Sequence, residues 1–148
     1  MKNKRFVFDT NILLVSISGK SPYHWIFQSV LNHDFELAVT NDILSEYEEI
    51  ISNKYSKSVA QNVVRTLLLL SNVILTNIYF NWNLIKHDRD DDKFADCAIA
   101  SNSDALITND KHFNILKKVP FPKVTVMNIF EFESIIKDNI LATEAPRH

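Results

Sequence analysis

Two aspartates that follow predicted strands are the residues of this sequence best suited to chemistry. Asp9 comes directly after the apolar run Phe6–Phe8, and Asp110 comes two residues after Thr108, the end of the apolar run Ala105–Thr108. If these two strands are neighbours in a parallel sheet, both carboxylates point into one crevice, because ligand sites lie at the carboxyl ends of such strands. Taken singly, either aspartate is equally well explained as a helix cap or a turn residue.

The densest acidic segment of the chain runs from Asp88 to Asp96 and reads DRDDDKFAD. Part of it needs no functional explanation, since acids at a helix N-terminus complement the helix dipole. Asp96 lies beyond the first turn of the predicted helix, among small apolar residues that allow close packing near the crevice. Asp92 lies four residues before Asp96 and shares its helix face. Asp91 would converge with Asp96 instead if Asp91 is at the cap, so both alternatives stay open.

A further candidate acid lies on the predicted helix after the second strand. Glu46 falls on one flank of that helix's apolar stripe and Glu48 on the other, so periodicity alone does not choose between them. A solvated helix face is the usual role of such glutamates. The stripe consists of apolar residues at helical spacing, namely Ile43, Leu44, Tyr47, Ile50 and Ile51.

Four or five carboxylates in one crevice repel one another and raise one another's pKa values. A divalent cation relieves that repulsion, and Mg²⁺ and Mn²⁺ prefer hard oxygen ligands. Such a cation can present a water molecule to a phosphodiester and stabilise the charge that develops on its oxygens. The acidic pattern therefore predicts metal-assisted hydrolysis in which the carboxylates need not be nucleophiles.

Strands and helices alternate along the predicted chain, which indicates an α/β fold with a parallel sheet covered on both faces. Strands are predicted at 6–8, 35–40, 73–75, 105–108 and 124–127. Helices are predicted at 23–31 with Ser21 as cap, from Asn41 or Asp42 to 52, from 56 or 58 to 70, and at 90–100 and 129–137. Residues 77–87 are predicted as an irregular loop. Residues 1–141 would form one domain, followed by a disordered tail at 142–148.

Composition narrows the classes of protein. The chain has 148 residues, of which 46% are hydrophobic, enough for one globular core. A net charge of −2 argues against a strongly basic nucleic-acid binder. It does not argue against a nuclease, which can carry positive charge as bound metal ions. The lone cysteine, Cys97, cannot form an internal disulfide, and we find no secretory signal and no transmembrane run, so the expected location is the cytoplasm.

Four segments, in order along the chain, resemble the PIN-domain family. They are Phe6–Leu13, Val39–Glu46, Asp91–Ala98 and Ala105–Asp110, within a resemblance that covers Arg5 to Met127. The resemblance implies a three-layer α/β/α sandwich with a central, mainly parallel sheet of about five strands. It also implies an endoribonuclease that hydrolyses RNA with Mg²⁺ or Mn²⁺. The sequence looks closest to bacterial PIN proteins described as toxin components of toxin–antitoxin systems, which implies a small antitoxin partner and a homodimer.

The same resemblance assigns residue roles. Five acids match the family's catalytic and metal-binding positions, namely Asp9, Glu46, Asp91, Asp96 and Asp110. Asn11 and Thr108 match supporting polar positions that orient the acids. The family register favours Glu46 over Glu48 and Asp91 over Asp92, although the helix face favours Asp92. Two positions depart from the family pattern: Asn109 stands where glycine is frequent, and Asp96 stands where glutamate is common.

Two other functions compete with the nuclease. A phosphatase of the haloacid-dehalogenase type would use Asp9 as a nucleophile, but it would require a second aspartate where this chain has Asn11. The second alternative is a non-catalytic domain that binds nucleic acid or a protein partner. The presence of the full set of acids argues against this alternative.

Some residues outside the acidic set could also contact RNA. The loop carrying Tyr79, Phe80 and Trp82 could stack on unpaired bases. The lysines and the histidine after Asp110 could meet phosphates, although a solvated face is the simpler interpretation. The five histidines show no metal-ligand spacing among themselves.

Overall fold

Five short parallel strands form the central sheet of the computed structural model, which describes residues 3–85 and 89–144. The strands are β1 (Arg5–Phe8), β2 (Glu36–Val39), β3 (Val73–Leu75), β4 (Ala105–Ile107) and β5 (Val126–Met127). Their order across the sheet is β3-β2-β1-β4-β5, and every pair is parallel. The α/β class and the parallel five-stranded sheet predicted from the sequence are confirmed.

The order of the strands reverses between β1 and β4. Phe8 of β1 lies opposite Ile107 of β4, and the amide of Asp9 donates to the Ile107 carbonyl at 3.2 Å. The next residues along the two strands, Asp9 and Thr108, are therefore neighbours at the carboxyl edge of the sheet. This is the switch point at which open α/β sheets bind their ligands.

Among the described residues, five α-helices and one 3-10 helix connect the strands, and a sixth α-helix follows the last strand. They are α1 (Thr10–Ile17), α2 (His24–Leu31), α3 (Asn41–Lys54), α4 (Lys57–Leu69), α5 (Arg89–Ala100), the 3-10 helix (Lys111–Lys118) and α6 (Ile129–Glu144). None of these helices is both long enough and apolar enough to cross a membrane.

Two of the helices were not predicted. Five of the eight residues of α1 are apolar and its buried positions lie on several sides, so the amphipathic period that marks a surface helix is missing. The 3-10 helix is short, and its tighter winding also lacks the 3.6-residue period. Each of these two helices begins immediately after one of the strand-end aspartates, Asp9 or Asp110.

Several predicted boundaries were wrong. Thr40, rather than Asn41 or Asp42, caps α3, because its hydroxyl accepts from the Ile43 amide at 3.1 Å. Ser21 does not cap α2; its hydroxyl accepts from the amide of Tyr23, two residues on, in a turn that precedes the helix.

The other differences concern where elements end. Strands β2 and β5 are shorter than predicted. The irregular loop is confirmed up to Ile85, while residues 86–88 of the prediction lie outside the described residues. Helix α6 continues to Glu144, past its predicted end at Lys137 and into the predicted tail. Residues 145–148 of that tail also lie outside the described residues.

Aromatic packing holds β1 at the centre of the fold. Phe6 and Phe8 are two residues apart and therefore point to the same sheet face. Both rings meet the Phe132 ring of α6 edge to face, at centroid distances of 4.9 and 5.6 Å, and both also contact Phe35. Such pairs add about 0.5–1.5 kcal/mol each beyond the apolar area they bury. The strand that carries Asp9 is thus fixed by several rigid side chains.

A buried tyrosine fixes α3 against the end of β1. Strands β1 and β2 pair at Arg5 and Phe6, and two residues further on the hydroxyl of Tyr47 donates to the carbonyl of Phe8 at 2.6 Å. Tyr47 is fully buried, so this bond satisfies two polar groups that water does not reach. The residue next to it, Glu46, is thereby held near the carboxyl edge of the sheet.

Cys97 is a packing residue. It is fully buried on α5, and burial raises the pKa of its thiol to about 12. At neutral pH the thiol is therefore protonated and poorly nucleophilic.

Candidate metal centre

The carboxylate of Asp9 is fixed by groups from two strand ends. One of its oxygens caps α1 by accepting from the Ile12 amide at 3.0 Å, and the other accepts from the Thr108 hydroxyl. The Thr108 oxygen in turn accepts from the Asp110 amide at 3.0 Å. A continuous chain of hydrogen bonds therefore joins the end of β1 to the end of β4, and it sets the position of Asp9 relative to Asp110.

The electrostatics of this pair favour a cation. Burial raises the pKa of the Asp9 carboxyl, and the negative charge of Asp110 raises it further. The hydrogen bonds from Thr108 and from the amides of Ile12 and Asn11 act in the opposite direction without cancelling the rise. A carboxylate that is desolvated beside a second carboxylate is stabilised when a positive ion enters the site.

Asp91 completes the strongest candidate ligand group among the described residues. The ligand atoms of Asp91, Asp110 and His112 lie within 4.8 Å of one another. Asp91 is partly buried in the first turn of α5, whereas Asp110 and His112 are exposed. Two carboxylate oxygens and one imidazole nitrogen form a donor set that suits Mn²⁺, and the carboxylates suit Mg²⁺ as well. The residues present therefore fit a divalent cation.

Glu46, and not Glu48, lies beside the strand end that carries Asp9. One Glu46 oxygen accepts from the hydroxyl of Thr10, the residue after Asp9, and the other lies 2.7 Å from the ammonium of Lys93. Glu48 lies elsewhere, in a surface groove next to α4. The pKa of Tyr47 is raised well above its usual value, chiefly by burial, and the charges of both Asp9 and Glu46 contribute. Both acids therefore lie within electrostatic range of the same buried phenol.

Asp92 and Asp96 are turned toward the loop that precedes α5. Asp92 accepts from the Ile85 amide at 2.7 Å, and Asp96 accepts from the Trp82 amide at 3.0 Å. Both carboxylates are buried and line one polar pocket of about 210 Å³. Burial raises the pKa of Asp96, and the charge of Asp92 adds to the rise. These two acids therefore anchor loop 77–85 to α5.

The predicted site residues thus divide into two groups. Asp9, Asp91 and Asp110, with Glu46 beside them through Thr10, gather at the ends of β1 and β4. Asp96 faces the loop with Asp92. The assignment of all five predicted acids as metal ligands stays a prediction. The geometry agrees with the family register in choosing Asp91 over Asp92.

The two supporting polar residues differ in their surroundings. Thr108 contacts both ends of the hydrogen-bond chain described above. Asn11 is exposed in the first turn of α1, and its supporting role stays a prediction.

The structure adds two residues that the sequence did not single out. His112 was missed because only spacings between histidines were considered, whereas its partners are aspartates; its position two residues after Asp110 was the available signal. Lys93 was missed because it lies within an acidic run, where a lysine is ordinarily a solvated residue. Its ion pair with Glu46 joins α5 to α3 at the edge of the candidate site.

Comparison with known proteins decides the family. A family model described as a PIN domain matches residues 5–112, which is most of the chain. The chain belongs to the PIN-domain family. The resemblance noted in the sequence is therefore confirmed, and PIN domains are generally nucleases.

Solved structures agree with this family at the level of the fold. The chain is similar to VapBC2 from Rickettsia felis, crystallised bound to a DNA fragment from their promoter, with a TM-score of 0.59 and 19% identity. It is also similar to DNA-bound VapBC from Salmonella typhimurium, with a TM-score of 0.55 and 16% identity. Both alignments cover 84% of this chain and 98% of the other. A search of curated proteins gave no match.

The division of the acids makes a prediction that compares two adjacent aspartates. Asp91→Ala should weaken Mn²⁺ binding by on the order of tenfold or more, because it removes a carboxylate within reach of Asp110. Asp92→Ala should leave Mn²⁺ affinity nearly unchanged. It should lower the free energy of unfolding by about 1–3 kcal/mol, because the buried Ile85 amide loses its acceptor.

Calorimetric titration with Mn²⁺ and urea unfolding of the metal-free proteins measure the two effects separately. If Asp92→Ala weakened metal binding and Asp91→Ala did not, the division of roles would be refuted.

Proposed function

We propose that this PIN domain is a divalent-metal-dependent endoribonuclease that hydrolyses phosphodiester bonds in RNA. The observation that carries the proposal is the grouping of Asp91, Asp110 and His112 within 4.8 Å beside the buried Asp9. This group lies at the switch point of the sheet, where α/β proteins bind ligands. The family model supports the nuclease class.

In this proposal Asp91 and Asp110 hold Mg²⁺ or Mn²⁺, with His112 as an additional donor and Asp9 and Glu46 as further carboxylates. When bound, the cation would supply Lewis-acid stabilisation of phosphate charge and a water of lowered pKa. Asp96 is retained as a proposed member of the site on the strength of the family register alone.

The chain's own residues preorganise the site. The orientation of the Asp9 carboxylate is fixed, since the Ile12 amide and the Thr108 hydroxyl each donate to one of its oxygens. Lys93 and Thr10 hold the two oxygens of Glu46 in the same way. The ammonium of Lys93 also brings a positive charge to a crevice rich in carboxylates, which suits an anionic phosphodiester.

The geometry favours hydrolysis by a metal-held water over covalent catalysis by Asp9. Asp9 is only 6% exposed, and both of its oxygens accept hydrogen bonds. A nucleophilic aspartate of a phosphatase must reach the phosphorus atom directly. The role of Asp9 that best fits its surroundings is therefore to position the other acids and the cation.

Asp110→Asn tests the nuclease and its site together. Asparagine caps helices about as well as aspartate, so the 3-10 helix should persist, but one ligand charge is lost. With Mn²⁺ or Mg²⁺ the parent protein should cleave members of a panel of single-stranded and structured RNAs. The variant should be slower by on the order of 100-fold or more, and EDTA should stop both.

The matched control for this experiment is Asp138→Asn, which changes an exposed aspartate on α6 and should retain full activity. Circular dichroism verifies that all three proteins are folded. Equal cleavage by parent and folded Asp110→Asn would contradict the assigned site.

We further propose that the chain is the toxin component of a toxin–antitoxin system, acting on cytoplasmic RNA and held inactive by a small antitoxin. The resemblance to bacterial toxin components supports this role, and the VapBC structures support the fold it requires.

The homodimer implied by the resemblance belongs to the same proposal. Light scattering should then give twice the 17.1 kDa of one chain, and a value of 17.1 kDa would exclude the dimer under those conditions.

Growth of a bacterial host tests the toxin role. Induced expression of the parent chain alone should arrest growth, because unrestrained cleavage depletes RNA. Expression of Asp110→Asn to the same level should leave growth normal, and Asp138→Asn should arrest growth as the parent does. Normal growth with an active, well-expressed parent nuclease would show that it is not a toxin in that host.

A further inference from the structure

Three aromatic rings, those of Phe80, Trp82 and Phe121, form a cluster, and the exposed Tyr79 precedes Phe80 in loop 77–85. These four side chains are here called the aromatic surface. The exposed fractions of Tyr79, Phe80 and Phe121 are 90%, 63% and 79%. The ring of Trp82, which is half-buried, lies 4.7 Å from that of Phe80 and 6.1 Å from that of Phe121. Trp82 thereby joins two segments that are distant in sequence. An exposed apolar patch that is built from several segments is characteristic of a binding surface.

Both segments of the aromatic surface are attached to elements of the candidate metal centre. The amides of Trp82 and Ile85 are held by Asp96 and Asp92 of α5, the helix whose first turn carries Asp91. Phe121 follows the 3-10 helix, which begins immediately after Asp110. The aromatic surface and the candidate metal centre therefore share α5 and the 3-10 helix as supporting elements.

The charges around this surface fit a polyanion. From Asp110 to Glu131 the chain contains four lysines and no intervening acid, although the whole chain carries a net charge of −2. The lysines are all exposed: Lys111, Lys117, Lys118 and Lys123. Lys117 and Lys123 line one surface groove together with Pro120, the neighbour of Phe121. Residues 77–85 carry no charge, so the rings are flanked by cations but not by carboxylates of their own loop.

We propose that the aromatic surface stacks the unpaired bases of single-stranded RNA, and that the surrounding lysines contact its phosphates. Exposed aromatic faces bind bases because every base has a π face, and lysines bind the backbone electrostatically. A duplex hides its base faces within the stack, so the surface should select single-stranded segments. The inference rests on the proposed ribonuclease function and names the form of its substrate.

A polar pocket lies beside the loop that carries three of the rings. Asn81 and Asn83 line it together with Lys93, and the carboxylates of Asp42, Asp92 and Asp96 belong to the same lining. The asparagine amides can donate to and accept from base edges. Because three carboxylates repel phosphate, this pocket suits a base edge and not the RNA backbone.

Binding measured without cleavage tests the proposal. The probes are a fluorescein-labelled single-stranded RNA of about 12 nucleotides, within the usual range of such sites, and the same strand annealed to its complement. Fluorescence anisotropy in EDTA gives the Kd for each probe. The parent should bind the single strand more tightly than the duplex. Phe80→Ala with Phe121→Ala should weaken single-strand binding by about fivefold or more, since each stacked base contributes at least about that factor.

Two control variants distinguish base stacking on the aromatic surface from non-specific binding to exposed aromatic rings. Tyr55→Ala removes an exposed aromatic ring at the end of α3, away from the aromatic surface, and should leave the Kd unchanged. Binding should also quench tryptophan fluorescence. Trp82→Phe keeps an aromatic ring between Phe80 and Phe121, so binding should persist. The quenching should disappear, because the remaining Trp25 packs on Phe132 in the core.

The lysines add an independent test. Lys117→Gln with Lys123→Gln should weaken binding and reduce the slope of log K against log salt by roughly 0.7 for each phosphate that a lysine no longer neutralises. An unchanged slope would remove the phosphate part of the proposal.

Failure of this proposal is distinguishable from failure of the nuclease. Unchanged single-strand Kd in the folded double alanine variant, or equal affinity for the duplex, overturns the base-stacking surface even if the parent cleaves RNA. Aromatic-dependent single-strand binding by a protein that cleaves nothing supports the surface while it refutes the nuclease. If the double alanine variant instead failed to bind a co-expressed small partner protein while it bound RNA normally, the surface would be a protein interface and the proposal would be overturned.

Discussion

The burial of a carboxylate beside a second one, at the ends of β1 and β4, is the constraint on which the candidate site depends. Burial raises the pKa of Asp9, and the negative charge of Asp110 adds to the rise. The fold holds the two acids together because the Thr108 hydroxyl lies between them, donating to one and accepting from the other's amide. A cation would relieve the repulsion between the two acids. The arrangement is therefore a candidate cation site.

Capping and the proposed metal ligation are combined in the same residues. Asp9 caps α1 and Asp110 caps the 3-10 helix, so each aspartate serves the structural role that its sequence position first suggested. In both cases the cap fixes one face of the carboxylate and turns it toward the switch point. The two helix N-termini also favour negative charge, which offsets part of the repulsion between the acids. Structural and functional explanations of these aspartates are thus complementary.

The sequence was sufficient for the strands and for the meeting of Asp9 with Asp110, since both follow from parallel-sheet rules. The sequence did not predict which of two nearby acids on a helix faces the candidate site. Glu46 and Glu48 flank the same stripe, and only the packing of Tyr47 under β1 decides between them. Asp91 and Asp92 are adjacent on α5. The Ile85 amide that donates to Asp92 lies in a loop whose position the local sequence does not predict. Helix α1 was missed because its buried residues lie on several sides of the helix, so no single polar face marks it.

The central claim is that a divalent cation binds between the ends of β1 and β4. A crystal structure of the protein grown with Mn²⁺, with anomalous differences collected, locates that cation directly. The account predicts an anomalous peak with Asp110 and Asp91 oxygens about 2.0–2.2 Å away, the distance range of hard divalent cations. It also predicts that the peak is lost in Asp110→Asn. A peak held by Asp92 and Asp96 without Asp110, or no peak in well-ordered crystals at saturating Mn²⁺, would contradict the account.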